Sequence, residues 1–191
     1  MRNLKKKLQY FLLLLLGLIV VITAIVKELW VLNKEKKQND SVVITDVKKK
    51  NFKSELLENI VDSFKNLSNK EELKLDNFSL VKYDNKTYFK IEIPELKNST
   101  YLIHYEGINV ATLHANILEV NEKNMPIFQK AISVLIQVSD KSIKREEALQ
   151  ILSELLTSLN KNKSSVQIKY INGLVYTIEV KDDKSILFTV K

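Results

Sequence analysis

Apolar positions follow a different period in each successive segment of the chain. From Leu8 to Val26, nineteen residues run with only Gln9 and Thr23 polar and none charged. At a helical rise of about 1.5 Å per residue that stretch spans about 28 Å, close to the hydrocarbon thickness of a bilayer. A backbone amide in lipid finds its partner only within its own helix, so the pattern predicts one transmembrane helix. Tyr10 and Trp30 stand near its two ends, where amphipathic rings favour the interface. A cleaved signal peptide would carry an apolar run of about 7–15 residues and a small-x-small site. Ile22-Thr23-Ala24 puts a bulky residue at the first key position, so an uncleaved signal-anchor is expected.

Residues 31–51 are polar and charged, with one short apolar stretch at Val42–Ile44, and read as a stalk. A helical period begins near Ser54, where Leu56, Leu57, Ile60, Val61, Phe64 and Leu67 fall on one face. Two alternating runs follow, Phe78–Tyr83 and Thr87–Ile93, joined through Asp84-Asn85-Lys86, residues that tolerate a tight hairpin. Pro94 closes the second, and a third run, Tyr101–Tyr105, ends at Gly107. Between Ile108 and Val120 two periods compete: Val110, Leu113, Ile117 and Val120 fit a helix face, while Asn109–Asn116 also reads as a strand, which is the expectation adopted. Pro126 suits the first position of a helix whose body, Ile127–Val138, is apolar almost all round and so buried. Arg145–Leu159 carries Ala148, Leu149, Leu152, Leu155, Leu156 and Leu159 on one helical face. Three strands close the chain, Val166–Tyr170, Val175–Val180 and Ile186–Val190, the first two joined around Asn172-Gly173.

Phe78–Ile93 and Ser165–Val180 align without gaps and are identical at Lys82/Lys169, Tyr83/Tyr170, Asn85/Asn172, Ile91/Ile178 and Glu92/Glu179. Each segment has an amphipathic helix before it and a short strand after it, so the domain is expected to be a duplicated helix-plus-three-strand unit. Neither an amphipathic helix nor a meander buries its apolar face alone, which predicts an α+β fold with helices on one side of an antiparallel sheet. The expected divisions are 1–30 (tail and anchor), 31–51 (stalk), 52–122 (first unit) and 123–191 (second unit, packed with the first). The helix-then-meander layout resembles PepSY-type modules, small extracytoplasmic domains found beside membrane anchors. That resemblance is one of layout and assigns no residue a role.

Charge changes the picture only at the N-terminus. The chain carries +7, and residues 1–37, with eight basic and two acidic side chains, hold six of those charges. The domain is nearly neutral, so nucleic acid is not an expected partner, and anionic lipid accounts for the basic flanks. Orientation is balanced, with four basic residues on each side of the span. Arg2, Lys5, Lys6 and Lys7 are packed into a short tail without acids, whereas Glu28 and Glu35 dilute the other flank. The N-terminus is therefore expected inside and the domain outside the cytoplasm.

Several chemistries are left without material. The chain has no cysteine, which removes disulfides, thiolate metal sites and thiol nucleophiles. Three glycines, Gly17, Gly107 and Gly173, do not make a phosphate cradle. His104 and His114 are the only histidines, with no acidic cluster at ligand spacing beside them, so no metal site, cofactor or catalytic residue is expected. A membrane-surface hydrolase using His104 or His114 stands as the alternative, and it requires the two rings to share a cleft with an acid. The remaining candidates are tyrosines in strands: Tyr83, Tyr88, Tyr101, Tyr105, Tyr170 and Tyr176. Such rings pack across strands, and they are also enriched at interfaces because they join apolar area to a polar tip. Tyr83 and Tyr170, with Tyr88 and Tyr176, are the expected binding residues. The function expected is a membrane-tethered extracytoplasmic binding or assembly module for a protein or envelope polymer, held to lipid through Leu8–Val26; its oligomeric state is left open.

Overall fold

The computed structural model of the protein describes residues 51–159 and 164–191. The anchor predicted over Leu8–Val26 and nearly all of the predicted stalk lie outside them. Among the described residues no helix is long and apolar enough to cross a membrane. Residues 49–191 form one compact unit.

Its elements are α1 (Leu57–Lys70), β1 (Asp76–Tyr83), β2 (Lys86–Ile93), β3 (Ser99–Glu106), β4 (Asn109–Ile117), α2 (Met125–Ser139), α3 (Arg145–Leu159), β5 (Ser165–Lys169), β6 (Val175–Val180) and β7 (Ile186–Val190). The predicted α+β class with helices on one side of an antiparallel sheet is what the structure shows. All seven strands join in one sheet, ordered β1-β2-β3-β4-β7-β6-β5, with every neighbouring pair antiparallel. The ambiguous segment is a strand: its alternate residues Leu113, Ala115 and Ile117 are buried, as is Val110 across an irregularity in the pairing with β3. A single 3-10 turn, Phe52–Ser54, precedes α1 and buries Phe52, while Asn51 accepts from the Lys53 amide. This turn delays the start of α1 to Leu57 and leaves Leu56 exposed rather than on the helix face.

One row of the sheet runs Ile91, Tyr101, Ala115, Phe188, Ile178, Val166 across β2, β3, β4, β7, β6 and β5. The parallel row Phe89, Ile103, Leu113, Val190, Tyr176, Ile168 lies on the same face. All three helices pack there. Tyr101 donates its hydroxyl to the Ala131 carbonyl of α2 at 2.7 Å, and its ring lies 4.6 Å from that of Phe64 on α1. Helix α2, fully buried at Ala131, Ile132, Val134, Leu135 and Ile136, contacts β4 and β7; α3 contacts β5 and β6. Strands lie about 4.8 Å apart and packed helices about 8–10 Å, so each helix covers about two strands. At the edge strand β1, Lys65 of α1 lies 5.3 Å over the Phe78 ring, and Leu80 beyond it is 63% exposed.

The duplicated unit does not survive in three dimensions. The first half contributes four strands rather than three, and the second two helices rather than one. Val81 sits opposite Tyr88, whereas its aligned counterpart Ile168 sits opposite Tyr176, one residue beyond the counterpart of Tyr88. The cause is the turn. Asp84 and Asn85 close the first hairpin in two residues at φ 47° and 62°, but the second has a five-residue loop in which Gly173, not Asn172, takes positive φ. Asn172 instead accepts from the Leu174 amide at 2.9 Å. Moreover β2 and β6 run in the same direction with β1 and β5 on opposite sides of them, so the two meanders are of opposite hand over one helical layer. The sequence matches are not spatial equivalents.

Candidate functional site

Strand alternation sends every second side chain to the face without helices, and the register names them. One row there is Val81, Tyr88, His104, Thr112 across β1–β4. The next is Ser79, Lys90, Leu102, His114, Thr189, Thr177, Gln167, reaching from edge to edge. No described element covers this face.

Its centre is an aromatic and hydroxyl cluster. The Tyr88 ring lies 5.2 Å from His104, 6.1 Å from His114 and 5.8 Å from Tyr83. His114 is held between two threonines, Nε2 to Thr112 Oγ1 at 2.8 Å and Nδ1 to Thr189 Oγ1 at 3.1 Å. Burial, followed by the nearby positive charge of Lys191, pushes the His114 imidazole down to about 4, so at neutral pH it is an uncharged ring with one donor and one acceptor nitrogen. Lys90 and Glu92 pair on the same face at 2.6 Å, each further stabilised in its charged form, Lys90 by that bond and Glu92 chiefly by a bond from Asn77.

Depression of the His114 pKa links stability to pH. The unfolded chain takes up this proton near pH 6.5 and the folded chain only near pH 4, so stability present above pH 6.5 is lost as pH falls through that window. The loss by pH 5 is about 2 kcal/mol. Urea unfolding of the 49–191 fragment at pH 7 and pH 5 should show it, and His114→Gln should remove that part of the slope. An unchanged slope in the variant would contradict the assignment.

The four tyrosines expected to form one surface are divided between both faces. Tyr83 and Tyr88 lie together on the open face. Tyr176 is fully buried under the helices, where its hydroxyl meets Ser139 Oγ at 3.1 Å and receives Asn172 Nδ2 at 3.2 Å. Tyr170 donates to Glu147 Oε1 of α3 at 2.5 Å, and burial together with that carboxylate raises its phenol. Burial likewise raises Tyr176. Tyr101 is buried in the core rather than exposed. The one-residue difference in hairpin register separates Tyr83 from Tyr170, since a shift of one turns a strand's side chains to the other face. The threonines around His114 were not singled out beforehand. Their signal was the alternation Thr112, His114, Asn116 against Leu113, Ala115, Ile117.

The hydrolase alternative finds its two histidines on one face, where the carboxylate of Glu92 is bound to Lys90 and Asn77. Neither ring hydrogen-bonds a carboxylate among the described residues, and no group of three or more potential metal ligands occurs among them. A cleft of about 730 Å3 lies elsewhere, at the foot of α1 between Lys65, Ser68, Asn69, Lys74, Phe78 and Pro94. Comparison with protein-family models, curated proteins and solved structures finds no match for this chain.

Proposed function

We propose that the protein is a membrane-tethered, extracytoplasmic binding or assembly module without catalytic activity, docking a protein or envelope polymer on the open face of its sheet. The observation that supports this reading is the asymmetry of that sheet: three helices lie on one face, and no described element lies on the other, where Tyr83, Tyr88, His104, His114, Thr112 and Thr189 gather. A tyrosine ring beside hydroxyls and a neutral imidazole offers apolar contact and adaptable hydrogen bonds, the composition of recognition surfaces. A histidine oriented by threonines rather than by a carboxylate suits recognition better than proton transfer. The apolar span Leu8–Val26 supplies the tether, and the dense basic tail before it favours placing the domain outside.

A membrane-impermeant amine cross-linker applied to intact cells tests both location and binding. The chain should be recovered joined to a partner, and Tyr88→Ala should lower the yield at least about tenfold, the loss of one central aromatic contact. An absence of adducts, or equal yield from the variant, would sink the reading.

A further inference from the structure

We propose that the end of the sheet carrying the β1–β2, β3–β4 and β5–β6 turns rests on anionic lipid, with Ile108 and Ile171 inserted at headgroup level. The inference rests on the tether proposed above and adds to it a second, reversible contact made by the domain itself.

Topology gathers these turns with the point of entry of the chain. The closing pairs Tyr83 with Lys86, Glu106 with Asn109 and Lys169 with Val175 all lie at one end of the sheet. Leu56 pairs with Asn109 there, and Asn51 with Asp140, whose carboxylate holds Asn172 of the β5–β6 loop. Between Val26 and Asn51 stand 24 residues, which reach at most about 90 Å when fully extended. A domain tethered so closely meets the bilayer at high effective concentration, and a weak contact suffices.

The exposed apolar side chains concentrate at this end. Ile171 and Ile108, 82% and 68% exposed, are the two most exposed large hydrophobic residues among those described, and each sits at the tip of a turn. Tyr83, 51% exposed, flanks the third turn, and Leu56, 40% exposed, stands at the entry. With strands about 4.8 Å apart, the strand order sets the three tips in a row with gaps of about 10 Å and about 14 Å. Separated protrusions give a compact partner no continuous patch. A bilayer accepts each tip on its own, and a tyrosine ring beside them suits its interface.

Charge selects the same surface. The connections at this end, with the strand residues that close them, expose Lys53, Lys86, Lys141, Lys144, Lys169 and Lys191 against Asp84 and Glu106. Glu55 and Asp140 are buried, Glu55 against Lys141. The connections of the other end, 71–75, 94–98, 118–124, 160–164 and 181–185, hold lysines and acids in equal number. Leu118, 37% exposed, is the one large exposed hydrophobic residue described among them. A nearly neutral domain is thus positive where the tether enters, which draws that end to anionic headgroups.

The test uses the full chain in vesicles of phosphatidylglycerol and phosphatidylcholine. It lacks cysteine, so Ile108→Cys, Ile171→Cys and Leu118→Cys each carry a single thiol for a fluorophore. With a nitroxide on the upper acyl chain of the lipid, quenching at 108 and 171 should exceed that at 118 at least about fivefold. Replacing all phosphatidylglycerol by phosphatidylcholine should lower that excess at least about twofold. A chain that floats with the vesicles but is quenched equally at the three sites overturns the docking and leaves the tether standing. A chain that does not float overturns the tether and the docking with it. An excess undiminished in neutral lipid overturns the anionic surface as the partner.

Discussion

Tyr101→Ala should destabilise the 49–191 fragment by about 3–5 kcal/mol, the range for deleting a buried aromatic side chain. The residue is fully buried at the meeting point of sheet, α1 and α2, with its ring against Phe64 and its hydroxyl on the Ala131 carbonyl. Truncation leaves a void bounded by both helices and removes the donor from a carbonyl that water does not reach. Tyr101→Phe separates the two effects: it keeps the ring and should cost about 1 kcal/mol, the net value of one hydrogen bond. Urea denaturation followed by circular dichroism measures both. A loss below about 1 kcal/mol for Tyr101→Ala would mean that α1 and α2 do not depend on this side chain. Because whole domains are stable by only about 5–15 kcal/mol, the alanine variant is also expected to show reduced soluble yield.

A loss of about 1.5–3 kcal/mol, the range for hydrogen bonds to a charged group, is expected for Asp140→Ala. Asp140 follows the last residue of α2 and is 1% exposed. Its Oδ1 accepts from the Ser142 amide at 2.8 Å and the Ser142 hydroxyl at 2.7 Å, and its Oδ2 accepts from Asn172 Nδ2 at 3.0 Å. The carboxylate therefore fastens the α2–α3 turn to the β5–β6 loop, and Asn172 passes the connection on to Tyr176. Alanine removes the shared acceptor from these donors, of which Ser142 is exposed and Asn172 half-buried. Asp140→Asn keeps the shape and one acceptor oxygen, so it should recover part of the loss. Hydrogen exchange locates the effect: protection should fall at Ser142 and Leu174, whose amides are bound by Asp140 and Asn172, before it falls in β3 and β4. Uniform loss of protection would show that Asp140 acts on the whole domain and not on this junction.

The elements were legible because each carries its own period and its own terminators. Pro126 starts α2, the apolar stripe of α3 predicts Arg145–Leu159, and the alternation of β6 and β7 predicts Val175–Val180 and Ile186–Val190. Even the contested segment was decided correctly by its polar and apolar alternation, since a half-buried strand needs that period and a helix does not. The candidate site was legible only in part. Tyr83 and Tyr88 meet as neighbours because a two-residue turn sets their register locally. Tyr170 was misplaced because its loop differs from the first by a register of one, which identical side chains in an alignment do not report, and Tyr176 because it aligns with Phe89 on the helix side and not with Tyr88.

What the sequence by itself determined about this protein is therefore local: a nineteen-residue apolar segment, the identity of each described helix and strand, and a nearly neutral α+β domain without thiol chemistry. Only the tertiary structure decided how the strands are ordered, which face the helices occupy, and that β4 stands between the two meanders. Those properties depend on pairings between residues far apart in the chain, such as His114 with Thr189 and Asp140 with Asn172. Period and propensity act over a few residues, whereas face, edge and neighbour are set by which apolar surfaces can be buried together.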